Sequence, residues 1–298
     1  MKVVTRITFW DQNGEKFFGE GPARLLRGIE EHGSLRSAAI SMDMAYTKAL
    51  KLLKNAEAAL GFPLTTRTTG GKSGGGSTLT PEGKAWLSRY EAYATACAEA
   101  NREMFRKYFP KVGCVIMASG LSKRFGSNKL MADFNGKPMI LHALQASDSL
   151  KDHRVVVTRH ADVAALCQEQ GVNVILHDLP HRSDTIRLGL EALGDVDACL
   201  FLPADQPLLR RDTVTALVNQ WEADQEKILR AFHNSTPGSP VLFPRWALPE
   251  LQNLPEGKGG NWVIKNHPEK TAAMQIEDPY ELMDADTPET LQFLLQHI

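Results

Sequence analysis

The chain has 298 residues, of which 43% are hydrophobic and 23% charged, with a formal net charge of −1. That is long enough for two domains and ordinary for a water-soluble globular protein. No apolar run approaches the roughly 20 residues that cross a bilayer, and the first residues, Met1 to Arg6, lack the apolar core of a secretion signal. Cys97, Cys114, Cys167 and Cys199 are scattered and form no closely spaced pair, which argues against a disulfide scaffold or a cysteine metal site. Reduced thiols in the cytoplasm are expected. The near-zero net charge hides an asymmetry. Residues 1–110 hold 16 Lys+Arg against 11 Asp+Glu, and residues 111–298 hold 18 against 24. A basic half beside an acidic half suits a nucleic-acid module joined to something else.

In chain order, Val3-Thr5-Ile7 and Phe17-Phe18 flank Asp11-Gln12-Asn13-Gly14, which predicts a short hairpin with an Asn-Gly turn. Pro22 to Glu30 predicts a first helix with Leu25, Leu26 and Ile29 on one face. Gly33-Ser34 ends it and caps a second, short helix, Ser34 to Ala39, whose small residues let two helices approach as a helix-turn-helix requires. Met42-Asp43-Met44 is the turn. Ala45 to Leu60 is the third helix, with Ala49, Leu52, Leu53, Ala56 and Leu60 inward and Tyr46, Lys48, Lys51 and Lys54 outward. A recognition helix places its first residues in the major groove while nearby lysines neutralise phosphates. The β-branched run Leu64 to Thr69, the glycine tract Gly70-Gly71-Lys72-Ser73-Gly74-Gly75-Gly76 and the returning strand Ser77 to Thr80 predict a wing, with Arg67 and Lys72 able to touch phosphates. Arg36 and Thr47 complete the DNA-facing set. Thr80-Pro81 starts a long helix running to about Lys107, and its stripe of Leu87, Tyr90, Tyr93 and Ala94 predicts a homodimer interface. The alternative is that these helices serve only as a dimerisation scaffold.

Phe109-Pro110-Lys111 reads as a linker, placing the domains at 1–110 and 111–298. Beyond it strands at Val112–Ala118, Val155–Thr158, Val172–Leu176 and Ala198–Leu202 alternate with helices at Pro138–Ala146, Ala161–Gln168, Asp184–Leu193 and Asp212–Glu222. The alternation predicts an α/β, Rossmann-like domain with a mostly parallel sheet covered by helices. Ligands of such sheets sit at the carboxyl ends of the strands, and two motifs fall there: Ser119 to Lys129 after the first strand, and Pro203-Ala204-Asp205-Gln206-Pro207 after the fourth. Nucleotidyl transfer needs a triphosphate held by backbone amides and cations, which the glycines, Arg124 and Lys129 can supply. It also needs a carboxylate at a strand end to hold a divalent metal, and Asp205 fits. Met283-Asp284-Ala285-Asp286-Thr287-Pro288-Glu289 offers a second acidic pair before a capped helix.

The N-terminal half resembles the DNA-binding domain of the ModE molybdate-responsive repressors, and more distantly LysR-type regulators. The residues that carry this are Gly33 to Ala39, Tyr46 and above all the Gly-Gly-Lys-x-Gly-Gly-Gly wing with Leu79-Thr80. The molybdate-binding modules of ModE have no counterpart here. Residues 112–298 resemble the MobA/MocA-like nucleotidyltransferases of molybdenum cofactor synthesis. The matching pieces are Ala118-Ser119-Gly120-x-Ser122-x-Arg124-Phe125-Gly126-x-x-Lys129-Leu130, Pro203 to Pro207, Gly238-Ser239-Pro240-Val241-Leu242-Phe243, Gly257-Lys258-Gly259-Gly260 and Asp286-Thr287-Pro288-Glu289. Ser119 stands in place of a small apolar residue and Phe125 in place of a methionine.

This second resemblance implies a nucleotide loop of Ala118, Ser119, Gly120, Ser122, Arg124, Gly126 and Lys129. It implies Mg²⁺ on Asp205 and Asp286, catalytic roles for Arg124, Lys129 and Asp205, and a further nucleotide contact at Ser183 and Arg187. The Gly-x-Pro-Val-Leu-Phe and Gly-x-Gly-Gly pieces point to the cytidylyl branch, in which CMP passes from CTP to molybdopterin. A guanylyl branch using GTP is the alternative. Expected partners are the nucleotide, molybdopterin, operator DNA, a second copy of the chain and a molybdenum hydroxylase apoenzyme. The competing expectation is a transcriptional regulator whose nucleotidyltransferase-like half only senses a ligand.

Overall fold

The computed structural model describes residues 3–68 and 76–298, and the chain divides into two compact units, Met1–Phe105 and Arg106–Ile298. The first opens with a hairpin of β1 (Thr8–Trp10) and β2 (Lys16–Gly19). β1 lies later than the expected Val3 to Ile7. The Asp11 carboxylate accepts from the backbone N–H of Asn13 and Glu15, closing the turn at once, and a tight turn pairs the residues next to it. Helices α1 (Glu20–His32), α2 (Leu35–Ser41) and α3 (Tyr46–Leu60) follow. Ser34 caps α2 by accepting from the N–H of Ser37. The small residues work as expected. A Cβ at Gly28 would meet the Cβ of Ala38 at 2.8 Å, so α1 and α2 touch nearly backbone to backbone.

Strands β3 (Thr65–Thr68) and β4 (Gly76–Leu79) form the wing hairpin. Lys72 and the glycine-rich tip lie outside the described residues. Thr80 caps the long helix α4 (Pro81–Tyr108), accepting from the N–H of Gly83. On α4 the expected interface stripe divides. Leu87 and Tyr90 are buried in the core of their own unit, with the Tyr90 ring 5.0 Å from that of Phe18 and its hydroxyl donating to the Ile7 carbonyl. Tyr93 stays 52% exposed.

The second unit is an α/β domain of the Rossmann-like kind. Its strands are β5 (Val112–Ala118), a small hairpin of β6 (Asp133–Phe134) and β7 (Lys137–Pro138), β8 (Arg154–Thr158), β9 (Asn173–Leu176), β10 (Ala198–Pro203), β11 (Ile228–His233), β12 (Thr236–Pro244) and β13 (Thr271–Gln275). The helices are α5 (Met139–Ala146), α6 (Ala161–Glu169), α7 (Arg182–Leu193), α8 (Arg211–Ala223), α9 (Leu248–Gln252), α10 (Asn261–Asn266) and α11 (Pro288–Leu295). Seven strands form one sheet in the order β13-β11-β12-β10-β5-β8-β9, and β12 alone among them runs against its neighbours. The sequence pattern missed β11, β12 and β13. The β11–β12 turn uses Asn234 and Ser235 in left-handed conformations, φ 44° and 67°, without a glycine to announce it.

Period-two alternation splits the core between the two faces of the sheet. Cys114, Ile116 and Ala118 of β5, with Leu200 and Leu202 of β10, pack under α5, α6, α8 and α11. Val115, Cys199 and Phe201 pack under α7, α9 and α10. Each Val, Ile, Leu or Phe among them contributes about 1.5–3 kcal/mol through burial. The parallel register sets Ala118 beside Thr158, Thr158 beside Leu176, and Met117 beside Pro203. The residues that leave these strands, Ser119, Arg159, His177 and Ala204, therefore emerge along one edge.

Candidate active site and DNA-facing surface

Four charges meet at that edge. The Lys129 ammonium is buried and bridges two carboxylates, at 2.5 Å from Asp205 Oδ2 and 2.8 Å from Asp286 Oδ1. Arg124, largely exposed, donates to the other oxygen of Asp286 at 2.5 Å. Burial alone would lower the pKa of Lys129, but Asp205 and Asp286 outweigh it and raise it, so the lysine is held charged. The hydrogen bond from Lys129 is the largest influence on Asp286 and, with the Arg124 charge, keeps its carboxyl below the usual range. Asp284 opens onto a cavity beside this cluster yet is ringed by protein. Desolvation, and after it the Asp205 charge, push its carboxyl up to about 6.

The sequence motifs build this locally. The loop after β5 folds back on itself, with the N–H of Phe125 and of Gly126 donating to the Ser122 carbonyl and that of Lys129 to the Ser122 hydroxyl. His160 Nε2 donates to the Gly120 carbonyl at 2.7 Å. A Cβ on Gly120 would meet no atom within 4 Å, so the loop leaves open space at its first glycine. Ser119 is used structurally: its hydroxyl donates to the Val157 carbonyl and accepts from His177 Nε2 at 2.9 Å. Burial, and then the charge of Arg159, lower the pKa of His177, so a neutral imidazole suits that bond. Phe125 packs against the core beneath the loop.

The second acidic segment is fastened by groups that the sequence motifs did not single out. Glu281 is 1% exposed and accepts from Arg210 through its backbone N–H at 3.1 Å and its Nε at 2.9 Å, and from the Thr213 hydroxyl at 2.5 Å. Buried Gln206 donates to the Leu282 carbonyl and to Asp284 Oδ1, and the N–H of Ala285 donates to the Asp205 carbonyl at 2.8 Å. These bonds hold the segment from Glu281 to Asp286 against the loop after β10 and so set Asp286 opposite Asp205.

Ser119, Gly120, Asp205 and Asp284 open onto a cavity of about 590 Å³. Its far wall comes from β10 to β12, with Phe201, Arg230, Ser239, Val241 and Phe243, and from Gly257, Gly259 and Gly260. A Cβ at Gly260 would meet the Phe243 ring at 2.7 Å, so the Gly-x-Gly-Gly piece needs its last glycine, while one at Gly259 would meet the flexible Arg182 stem at 3.3 Å. Ser183 and Arg187 are not brought to this wall. Arg182, Thr185 and Ile186 are, while Arg187 pairs along its own helix with Asp184 and Glu191. Ala118 is buried in the sheet core, Arg124 and Lys129 belong to the charged cluster, Gly126 lies in the loop that carries them, and none of these last three lines the cavity.

For a divalent metal, the observation that matters is the position of Lys129. A cation of this chain already sits between Asp205 and Asp286, and an all-oxygen pair of carboxylates suits Mg²⁺, with phosphate and water oxygens completing its shell. No group of three or more His, Cys, Asp or Glu side chains that could hold a metal ion occurs among the described residues.

In the first unit, Arg36 on α2, then Tyr46, Thr47, Lys48, Lys51 and Lys54 on α3, and Arg67 on β3 are all exposed. The six other than Tyr46 form no ion pair or side-chain hydrogen bond among the described residues. Glu57 of α3 accepts from the N–H of Leu64 and Thr65, tying the start of the wing to this helix.

The profile of the MobA-like NTP transferase domain matches residues 114–271. That of the bacterial regulatory helix-turn-helix proteins of the lysR family matches residues 23–84. A probable molybdenum cofactor guanylyltransferase of Pyrococcus horikoshii is 28% identical over 145 residues, 48% of this chain and 67% of that protein. A 3-deoxy-manno-octulosonate cytidylyltransferase of Neisseria meningitidis is 32% identical over 96 residues, 29% of this chain and 36% of that protein. Among solved structures, a nucleotidyl transferase from Methanothermobacter thermautotroptrophicus matches with a TM-score of 0.54 and 20% identity over 63% of this chain and 97% of that one, a likeness of fold. Among the described residues no helix is long and apolar enough to cross a membrane.

Proposed function

Because the chain belongs to the family of the MobA-like NTP transferase domain, we propose that it transfers a nucleoside monophosphate from a nucleoside triphosphate to molybdopterin, with CTP as donor. The observation that carries this is the cluster of Lys129, Arg124, Asp205 and Asp286 at the mouth of the cavity. A terminal phosphate oxygen of the acceptor attacks the α-phosphorus, the bond to the β-phosphate bridging oxygen breaks, and pyrophosphate leaves. No covalent intermediate on the protein is needed. Arg124 and Lys129 exchange their carboxylate partners for phosphate oxygens and neutralise the charge that gathers on the leaving group. Asp205 and Asp286, released from that pairing, would hold Mg²⁺, and the chemistry it would supply is polarisation of the phosphate oxygens. The open backbone at Gly120 makes room for the triphosphate, and the wall of Ser239, Val241 and Phe243 faces the transferred nucleoside or the acceptor.

CTP is favoured by the Gly-x-Pro-Val-Leu-Phe and Gly-x-Gly-Gly pieces, which contribute to the cavity wall. GTP is the second reading, favoured by the printed name of the Pyrococcus relative. A pyrophosphate-release assay with molybdopterin decides: turnover with CTP over GTP is expected, and a GTP preference moves the chain to the guanylyl branch. Asp205→Ala should abolish turnover with either nucleotide while leaving the melting transition in place, and retained turnover would sink the metal assignment. The N-terminal unit binds operator DNA through α3 and the wing, as a homodimer, and couples the supply of the modified cofactor for a molybdenum hydroxylase apoenzyme to transcription. A gel shift on the upstream DNA of its own operon tests that part.

A further inference from the structure

Three arginines line the cavity, Arg159, Arg182 and Arg230, and Arg230 is the one carried by a strand of the sheet. β11 places it across from Val241 of β12 and beside Ala273 of β13. It is half-buried, and its Nε donates to the Gly238 carbonyl at 2.8 Å. That is its one protein hydrogen bond among the described residues. Among the described residues both terminal nitrogens are without a partner, and no carboxylate lies within ion-pair distance. Several arginines outside the cavity lining pair with carboxylates: Arg124 with Asp286, Arg210 with Glu281, Arg187 with Asp184 and Glu191, and Arg245 with Asp195. Of the other two that line it, Arg159 donates to the Asp178 carbonyl and Arg182 has no ion pair among the described residues. Burial lowers the pKa of Arg230 with no neighbouring charge to offset it. An uncompensated cation in an apolar wall weakens the fold, and a guanidinium with a free edge presents the planar fork that fits a phosphate or carboxylate.

We propose that Arg230 is the acceptor-binding residue of the cavity, its free guanidinium edge receiving an anionic group of an acceptor whose apolar or planar body lies against Phe201, Val241 and Phe243. This rests on the nucleotidyl-transfer reading and gives its acceptor a chemical class: an organic phosphate or carboxylate with an unsaturated or apolar body. The position supports the division of labour. Arg230 lies on β11, whereas the triphosphate cations Arg124 and Lys129 lie on the loop after β5 and outside the cavity lining. The guanidinium fork holds the acceptor's anion, while the Nε bond to Gly238 fixes the plane of that fork.

The test uses the full chain, with phenyl phosphate as probe and titration calorimetry as readout. Wild type should bind it, Arg230→Met should weaken binding at least tenfold, Arg230→Lys should fall between, and Arg124→Ala should bind as wild type does. Removing a half-buried charge that has no ion pair among the described residues should leave the melting temperature of Arg230→Met equal to wild type or higher. The inference is overturned if wild type does not bind phenyl phosphate, if Arg230→Met keeps that binding, if Arg124→Ala loses it, or if Arg230→Met melts lower. Titration of the same variants with CTP and GTP separates the two readings. Loss of phenyl phosphate at Arg230→Met with unchanged nucleotide binding supports the acceptor assignment. A chain that binds neither nucleotide but holds phenyl phosphate through Arg230 overturns the transfer reading and leaves the anion site standing.

Discussion

The cations of the two units are kept in opposite ways. On α3 and the wing, Lys48, Lys51 and Arg67 stand in solvent without counter-charges among the described residues, whereas Lys129 is buried and held between Asp205 and Asp286. A solvated lysine is already neutralised by mobile ions, so it waits for a polyanion at no structural cost and its binding is salt-sensitive. A buried lysine cannot wait alone, because desolvation would discharge it, so it carries its carboxylates, and on the function proposed above it exchanges them for the substrate. The first arrangement suits a long, repetitive ligand, the second a small one that must be held in a single geometry.

The contrast can be broken most sharply at Lys129. Lys129→Met should lower kcat/KM by about 100-fold or more, the scale of one preorganised charge contact in a transition state. Because the site is screened from bulk ions, that loss should change little between low and high salt, and a defect rescued by low salt would place Lys129 among the solvated cations. On the other unit, the double variant Lys48→Ala with Lys51→Ala should lower the slope of log affinity against log salt by about 2 units, nearly one per phosphate contact removed. Fluorescence anisotropy on operator DNA measures it, and an unchanged slope would take these lysines out of the interface. The smallest change is expected at Glu281→Gln. It keeps the shape but discharges the acceptor of Arg210 and Thr213, and should cost roughly 1–3 kcal/mol in denaturant unfolding. If Glu281 holds Asp286 in place, turnover should drop as well, and a stability loss with full activity would detach the network from the site.

How much of this was legible in the sequence follows from range. The strand-to-loop motif from Val112 to Lys129 is local, so β5, the loop and the two cations could be read directly, as could Asp205 at the end of β10. The helix-turn-helix was legible because Gly28, Ser34, Ala38 and Ala39 each answer a short-range demand. The Glu281 anchor was not, because Arg210 and Thr213 meet it across about seventy residues of chain. Arg230 was hidden for the same reason, together with the strand that bears it, since the β11–β12 turn carries no glycine. Ser183 and Arg187 came from a motif, and a motif gives the helix without its rotation; Arg182, Thr185 and Ile186 face the cavity. Leu87 and Tyr90 show a related ambiguity. An apolar stripe on a long helix reads the same whether it covers its own core or a second copy.

The bridge from Lys129 to Asp205 and Asp286 has a consequence for the enzyme at rest. On the metal-holding role proposed above, two carboxylates that grip a divalent ion would repel one another whenever that ion is scarce. Here the lysine acts as a placeholder with its charge already in position. Ion starvation should therefore silence the chemistry while the pocket keeps its shape, and recovery should require only a change of partners rather than refolding.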